Sequence, residues 1–160
     1  MPSRHEAPGA RLLSNWKRLS HLPFGRWIFN RMLGRMVPYT GALGARIETL
    51  EAGRAVVTLD DRRAVRNHLA SIHAVALANL AELTSGTAML TALPAGTRGI
   101  VTRLEIDYLK KARGSVTGRS NVRVPAITAP TVLHPEAEIT DSAGDVVARA
   151  RVTWHVSPLE

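Results

Sequence analysis

Hydrophobic residues recur along this chain with a spacing that changes twice. From Arg11 to Met36, Leu12, Trp16, Leu19, Trp27, Ile28, Met32 and Leu33 fall near helical spacing, and Pro23 and Gly25 divide the stretch. The pattern predicts short amphipathic helices over residues 11–37. Residues 1–10, with two prolines and a glycine, read as a flexible tail. After Pro38 the period drops to two. Leu43, Ala45 and Ile47 alternate with Gly44, Arg46 and Glu48, and Ala55, Val57 and Leu59 alternate with Val56, Thr58 and Asp60. With a turn at Glu51-Ala52-Gly53, these predict a hairpin.

The stretch Asn67 to Leu93 is apolar on nearly every side and reads as one long buried helix. Ser71 is the expected N-cap of its regular part. Beyond Pro94-Ala95-Gly96 the chain is extended again. Ile100, Thr102, Leu104, Ile106 and Tyr108 are expected on one face, with Arg103, Glu105 and Asp107 on the other. A basic turn, Lys110 to Gly114, leads into a strand carrying Val116, Val122 and Val124. Pro125, Pro130 and Pro135 bracket an irregular connection. A last hairpin turns at Asp141–Gly144. Its second strand points Val146, Ala148, Ala150, Val152, Trp154 and Val156 inward, and Arg149, Arg151 and His155 outward. Two strands, a buried helix and about four more strands make an α+β domain over residues 38–157. An antiparallel sheet wrapped around one long central helix satisfies both.

Composition narrows the function. At 160 residues the chain is one domain's worth. It has no cysteine, which excludes disulfides and thiol chemistry. Asn79, Glu82, Thr84 and Ser85 interrupt the most apolar window, no secretory signal is visible, and a cytoplasmic protein is expected. His68, His73 and His134 lack metal-ligand spacing, so no metal is expected. The net charge is +8, and residues 1–40 hold seven basic residues against Glu6 alone. The charge block comes with no reading helix, so no nucleic-acid partner is expected. The N-terminal helices are expected to pack on the main domain with their arginines in water. A lid over a substrate channel, or membrane-surface contact through residues 11–36, is the less favoured alternative.

Chemistry points first to Glu82, the only formally charged side chain between Arg66 and Arg98. A carboxylate in a buried helix is costly unless paired, neutralised or used. Burial raises its pKa toward the range of a general base at neutral pH, and a carboxylate can also attack directly as a nucleophile. The start of the same helix offers free N–H groups and a positive dipole end, with the backbone N–H near Ala74 as a donor to a carbonyl oxygen.

The element order, with NHLASIHAVALANLAEL at its centre, resembles the hotdog-fold acyl-CoA thioesterases, and more closely the DUF4442 branch near the phenylacetyl-CoA thioesterase-like group. In that group an Asn precedes by six residues a His that opens a His-Gly-Gly motif, and an acidic residue follows the His by nine. Asn67, His73 and Glu82 stand at those positions. The YLKKARG of Tyr108–Gly114 and the PYTG of Pro38–Gly41 fit the same branch. The resemblance covers roughly residues 12–156. It implies hydrolysis of an acyl-CoA or acyl-carrier thioester, with coenzyme A as part of the substrate and no other cofactor. Glu82 would be base or nucleophile, Asn67 would orient water or carbonyl, His73 would hold the loop, and Ala74 N–H would polarise the carbonyl. Lys110, Lys111 and Arg113 would meet the phosphates of coenzyme A. Where the family has Gly-Gly this chain has Ala74-Val75, whose side chains narrow the approach to the helix. A non-catalytic acyl- or lipid-binding module on the same fold is the alternative.

Helix geometry adds a partner. His73 and Glu82 are nine residues apart, hence ~13 Å along the axis and roughly 180° around it. The helix start and the carboxylate of one chain therefore cannot converge on one small reacting group. A homodimer, or a dimer of dimers, with antiparallel central helices is expected to build each site from two chains.

Overall fold

Seven strands, every neighbouring pair antiparallel, curl around one long helix. The structure is a computed structural model and describes residues 8–159. In chain order the elements are α1 (Pro8–Leu19), α2 (Gly25–Met36), α3 (Pro38–Leu43), β1 (Arg46–Glu51) and β2 (Arg54–Leu59). A single 3-10 turn (Arg63–Val65) then precedes α4 (Ala74–Ala92). After it come β3 (Thr97–Tyr108), β4 (Val116–Asn121), β5 (Thr131–Leu133), β6 (Glu136–Thr140) and β7 (Val146–Pro158). The sheet order is β1-β2-β4-β6-β7-β3, and β5 pairs with β7 beside Val156 and Trp154. This is the expected α+β architecture, with five strands after the helix.

Alternation places the core as the sequence implied. Ala55, Val57 and Leu59 of β2 are fully buried, and Ala148, Ala150, Val152, Trp154 and Val156 of β7 point inward. Helix α4 lays Leu77, Leu80, Ala81 and Ala88 on this face. The buried hydroxyls of Thr84, Ser85, Thr87 and Thr91 each donate to the carbonyl four residues earlier, so they add no unsatisfied polar group. Small residues bring helix and sheet close. A Cβ at Gly118 of β4 would stand 2.6 Å from Thr84 Oγ1. Trp16 of α1 and Phe29 of α2 are buried edge to face, with ring centroids 5.1 Å apart. The N-terminal helices thus pack on the domain, as expected.

Several expectations are corrected. Residues 1–7 of the expected tail lie outside the described residues, and Pro8–Ala10 open α1. The start of the expected first strand is helix α3, because Pro38 suits the first helical position and Gly44, at φ 72°, ends the helix. The helical lead-in therefore runs past residue 37. The central helix begins at Ala74, not Asn67. Residues 67–72 form a loop closed by a bridge between Arg66 and Ile72, with Ala70 at φ 54°. The N-cap is His73, whose Nδ1 accepts from Val75 N–H at 3.1 Å. Ser71 does not cap, because its hydroxyl donates to Asn67 Oδ1 at 3.1 Å. In β3 the register shifts between Val101 and Arg103. With Thr102 as the extra residue, Ile100 pairs with outward-facing His155, while Val101 pairs with inward-facing Trp154. Thr102 and Ile100 thus leave the face on which they were expected.

Candidate active site

Asn67 organises the loop that delivers α4. Its Oδ1 accepts from Leu69 N–H at 2.9 Å, Ser71 N–H at 3.3 Å and the Ser71 hydroxyl. That carbonyl is fully engaged in the turn. The amide Nδ2 makes no hydrogen bond among the described residues and remains a donor. His73 N–H reaches Val65 O at 2.8 Å, and its Nδ1 closes the first helical turn. An accepting Nδ1 puts the proton of the neutral ring on Nε2. Among the described residues, Ala74 N–H donates to no acceptor. It sits exposed at the positive end of the 19-residue α4.

The basic turn docks on this same loop. Ile72 N–H donates to Ala112 O at 2.8 Å, and Gly114 N–H donates to Asp61 Oδ2 at 3.0 Å. Asp61 also pairs with Arg66 at 2.5 Å; Arg66 and then the Gly114 N–H hold its carboxyl below the usual range. Lys110 points the other way. Its Nζ meets Asp141 at 2.7 Å and Asp145 at 2.5 Å, stapling the turn to the β6–β7 hairpin. Lys111 and Arg113 are exposed beside the loop. Tyr108, at the end of β3, donates its hydroxyl to Ala74 O at 2.9 Å and anchors the first turn of α4. The sequence pattern placed Tyr108 only as a face residue of a strand.

Glu82 lies elsewhere. It is half buried, with no ion pair or side-chain hydrogen bond among the described residues. Burial alone pushes its carboxyl above the ordinary 4.5. Its Oε1 would be 3.5 Å from a Cβ at Gly86, and Trp154 Cζ2 would be 3.6 Å from the same point. On its other edge the indole meets Gly99, where a Cβ would come 2.9 Å from Trp154 Cε3. The ring is thus held between helix and strand. Its Nε1, on the Cζ2 edge, is buried without an acceptor. Periodicity made Trp154 an inward apolar residue; the cue to more was an indole N–H on a face with no obvious acceptor. Asn79 Oδ1 is likewise buried and unpartnered. Asn79 lines a cavity of about 290 Å³ with Tyr39, Arg66, His73 and Val75, and Glu82 is not among its walls.

One chain therefore sets Asn67, His73 and Ala74 at or just before the start of α4, ties the turn that carries Lys111 and Arg113 to the same loop through Ala112, and leaves Glu82 apart. Ala74 and Glu82 are eight residues, about 12 Å, apart along the axis. Between them the helix shows solvent a face bearing Val75, 54% exposed. Next to it runs β3, whose 12 residues pair with β7 on one edge only among the described strands. Its inward-facing Leu104 and Tyr108 are exposed as well, where the alternation expected them covered.

The model for DUF4442, a domain of unknown function, matches residues 25–156. The chain belongs to the DUF4442 family. No curated protein matches this DUF4442 chain by sequence. Among solved structures, a structural-genomics protein is 29% identical, with a TM-score of 0.79 over 94% of this chain and 98% of that one. A Pseudomonas aeruginosa protein named a probable thioesterase is 22% identical, with a TM-score of 0.75 over 86% and 97%. The phenylacetic acid degradation protein PaaI of Thermus thermophilus, solved as a point mutant, is 22% identical, with a TM-score of 0.63 over 74% and 97%. The DUF4442 chain shares the hotdog fold of its thioesterase-family neighbours.

Proposed function

We propose that the protein hydrolyses acyl thioesters of coenzyme A or of an acyl carrier, in sites shared by two chains. The observation that carries this is Glu82, a half-buried carboxyl midway along α4 that pairs with no cation among the described residues and is pushed up by burial, on a helix whose first turn presents a free N–H beside a basic turn. In the shared site, Glu82 of one chain takes a proton from water. The water oxygen attacks the thioester carbon, and the carbonyl oxygen gathers negative charge at Ala74 N–H of the other chain. When the tetrahedral species collapses, the C–S bond breaks and the departing thiolate takes the proton back from Glu82. Asn67 Nδ2 orients the water or the carbonyl, His73 holds the turn, and Lys111 and Arg113 meet phosphate. Lys110 serves that cluster less directly, through its hold on Asp141 and Asp145. Two antiparallel copies joined along β3 would cover Val75, Leu104 and Tyr108 and bring the two half-sites together.

The test mixes Asn67→Ala and Glu82→Gln proteins, each inactive alone, under conditions of subunit exchange. Half the dimers become mixed and each regains one intact site, so activity returns toward about a quarter of wild type. Demonstrated exchange with no return of activity removes the shared site. A second reading, a binding module without turnover, is favoured by one observation. Val75 stands where the resemblance puts the second glycine of the His-Gly-Gly motif, and its side chain is exposed at the helix start. Tight acyl-CoA binding with no hydrolysis across a chain-length panel would select it.

A further inference from the structure

Helices α1–α3 carry a surface that the proposed chemistry does not use. Between Pro8 and Leu43 there are six basic residues, Arg11, Lys17, Arg18, Arg26, Arg31 and Arg35, and no acidic one. All six are exposed. Their one ion-pair contact among the described residues is Arg26 to Glu48, loose at 3.9 Å. Leu22, Phe24, Trp27, Ile28, Met32 and Met36 are exposed around them. From Phe24 at the cap of α2, the residues three, four, seven and eleven further on are Trp27, Ile28, Arg31 and Arg35. That spacing puts them on one helix face. The opposite side of α2 is anchored by buried Phe29 and by half-buried Leu33, so the exposed face is held outward.

The corner before α2 is unusual. Phe24 is 83% exposed and adopts φ 60°, a left-handed conformation unfavourable for a residue with a side chain. A strained backbone thus holds a phenyl ring out in water. Trp27 beside it is 64% exposed, with the Arg31 guanidinium 5.8 Å from its ring centroid. Exposed aromatic and aliphatic side chains beside Arg31 and Arg35 match the headgroup boundary of a bilayer: rings enter the boundary and guanidinium groups meet phosphate. No described helix is long and apolar enough to cross a membrane, so contact would be at the surface. A second copy is a poor occupant, since two such faces would set like charges against each other.

We propose that the α1–α2 face, centred on Phe24 and Trp27, docks on membranes bearing anionic phospholipid. The protein carries its own reporter. Trp16 and Trp154 are 6% and 5% exposed, which leaves Trp27 as the tryptophan whose surroundings binding would change. The experiment adds vesicles of phosphatidylcholine, with or without phosphatidylglycerol, and follows tryptophan emission and co-sedimentation. The expected result is a blue shift and sedimentation with phosphatidylglycerol that salt reverses, and little of either with phosphatidylcholine alone. Replacing Arg31 and Arg35 together with alanine should weaken binding about thirtyfold. Phe24→Gly relieves the left-handed strain, keeps the fold and should also weaken binding. Absence of binding to phosphatidylglycerol vesicles overturns the proposal, as does equal binding to both vesicle types. Lipid-free self-association that Phe24→Gly abolishes would also overturn it, by giving the face to a second copy.

Discussion

Replacing Ala74 with proline would delete one backbone N–H and little else. Ala74 is the first residue of α4, where proline's fixed φ is suitable and its missing donor breaks no helical bond. The preceding residue, His73, has φ −64° and ψ 141°, the extended conformation that a residue before proline requires. Among the described residues Ala74 N–H has no acceptor, so the fold loses no hydrogen bond. The Ala74 carbonyl, which receives the Tyr108 hydroxyl, is untouched. Reduced freedom of the unfolded chain should leave stability unchanged or raise it by about 0.4–1 kcal/mol. For a domain of this size that is at most ~4 °C in Tm. If this N–H receives the developing oxyanion, its loss removes about 2.7–4 kcal/mol of transition-state stabilisation, a fall of roughly a hundred- to a thousandfold in kcat. The assay is steady-state thiol release from an acyl-CoA panel beside thermal denaturation of the same preparations, with Ala74→Gly as the control that keeps the N–H. A folded Ala74→Pro protein that turns over within about twofold of wild type would refute the role of this N–H.

Glu82→Gln tests the buried carboxyl through stability. Burial raises its folded pKa, so the folded state keeps the proton to higher pH than the unfolded chain; that contribution is complete below 4.5 and is lost as pH rises through the folded value. The variant, neutral throughout, should exceed wild type in Tm above that window and match it near about pH 4; a pH-independent difference would contradict this. The same carboxyl, acting as base, should place the acid limb of kcat/KM above 4.5. Replacing Lys111 and Arg113 with alanine should raise KM for coenzyme A esters more than for short thioesters lacking the nucleotide, with kcat retained; an equal change in both would assign the pair to the fold.

Local order along the chain determined much of this protein. Alternation in β2 and β7 named the inward residues, because side chains in a strand take opposite faces by covalent geometry. Glu82 stood out because one charge in an apolar helix is visible in composition alone. The Asn67, His73 and Glu82 spacing was also legible. Pro38 and Gly44 carry a helix signal, but the alternation around Leu43 equally fits a strand.

Other features came only with tertiary structure. The shift at Thr102 depends on how β3 registers against β7, some 50 residues away in sequence, and it reverses the face of Ile100. Where α4 begins depends on the bridge between Arg66 and Ile72 and on Asn67 taking the Ser71 hydroxyl, which leaves His73 to cap. Lys110 belongs to Asp141 and Asp145 because the last hairpin folds back over the basic turn. Trp154 and Glu82 both border Gly86 because β7 passes under the helix at that level. Periodicity records which residues share a face. Which groups meet across that face is settled by register and packing between distant segments, and no local pattern encodes those.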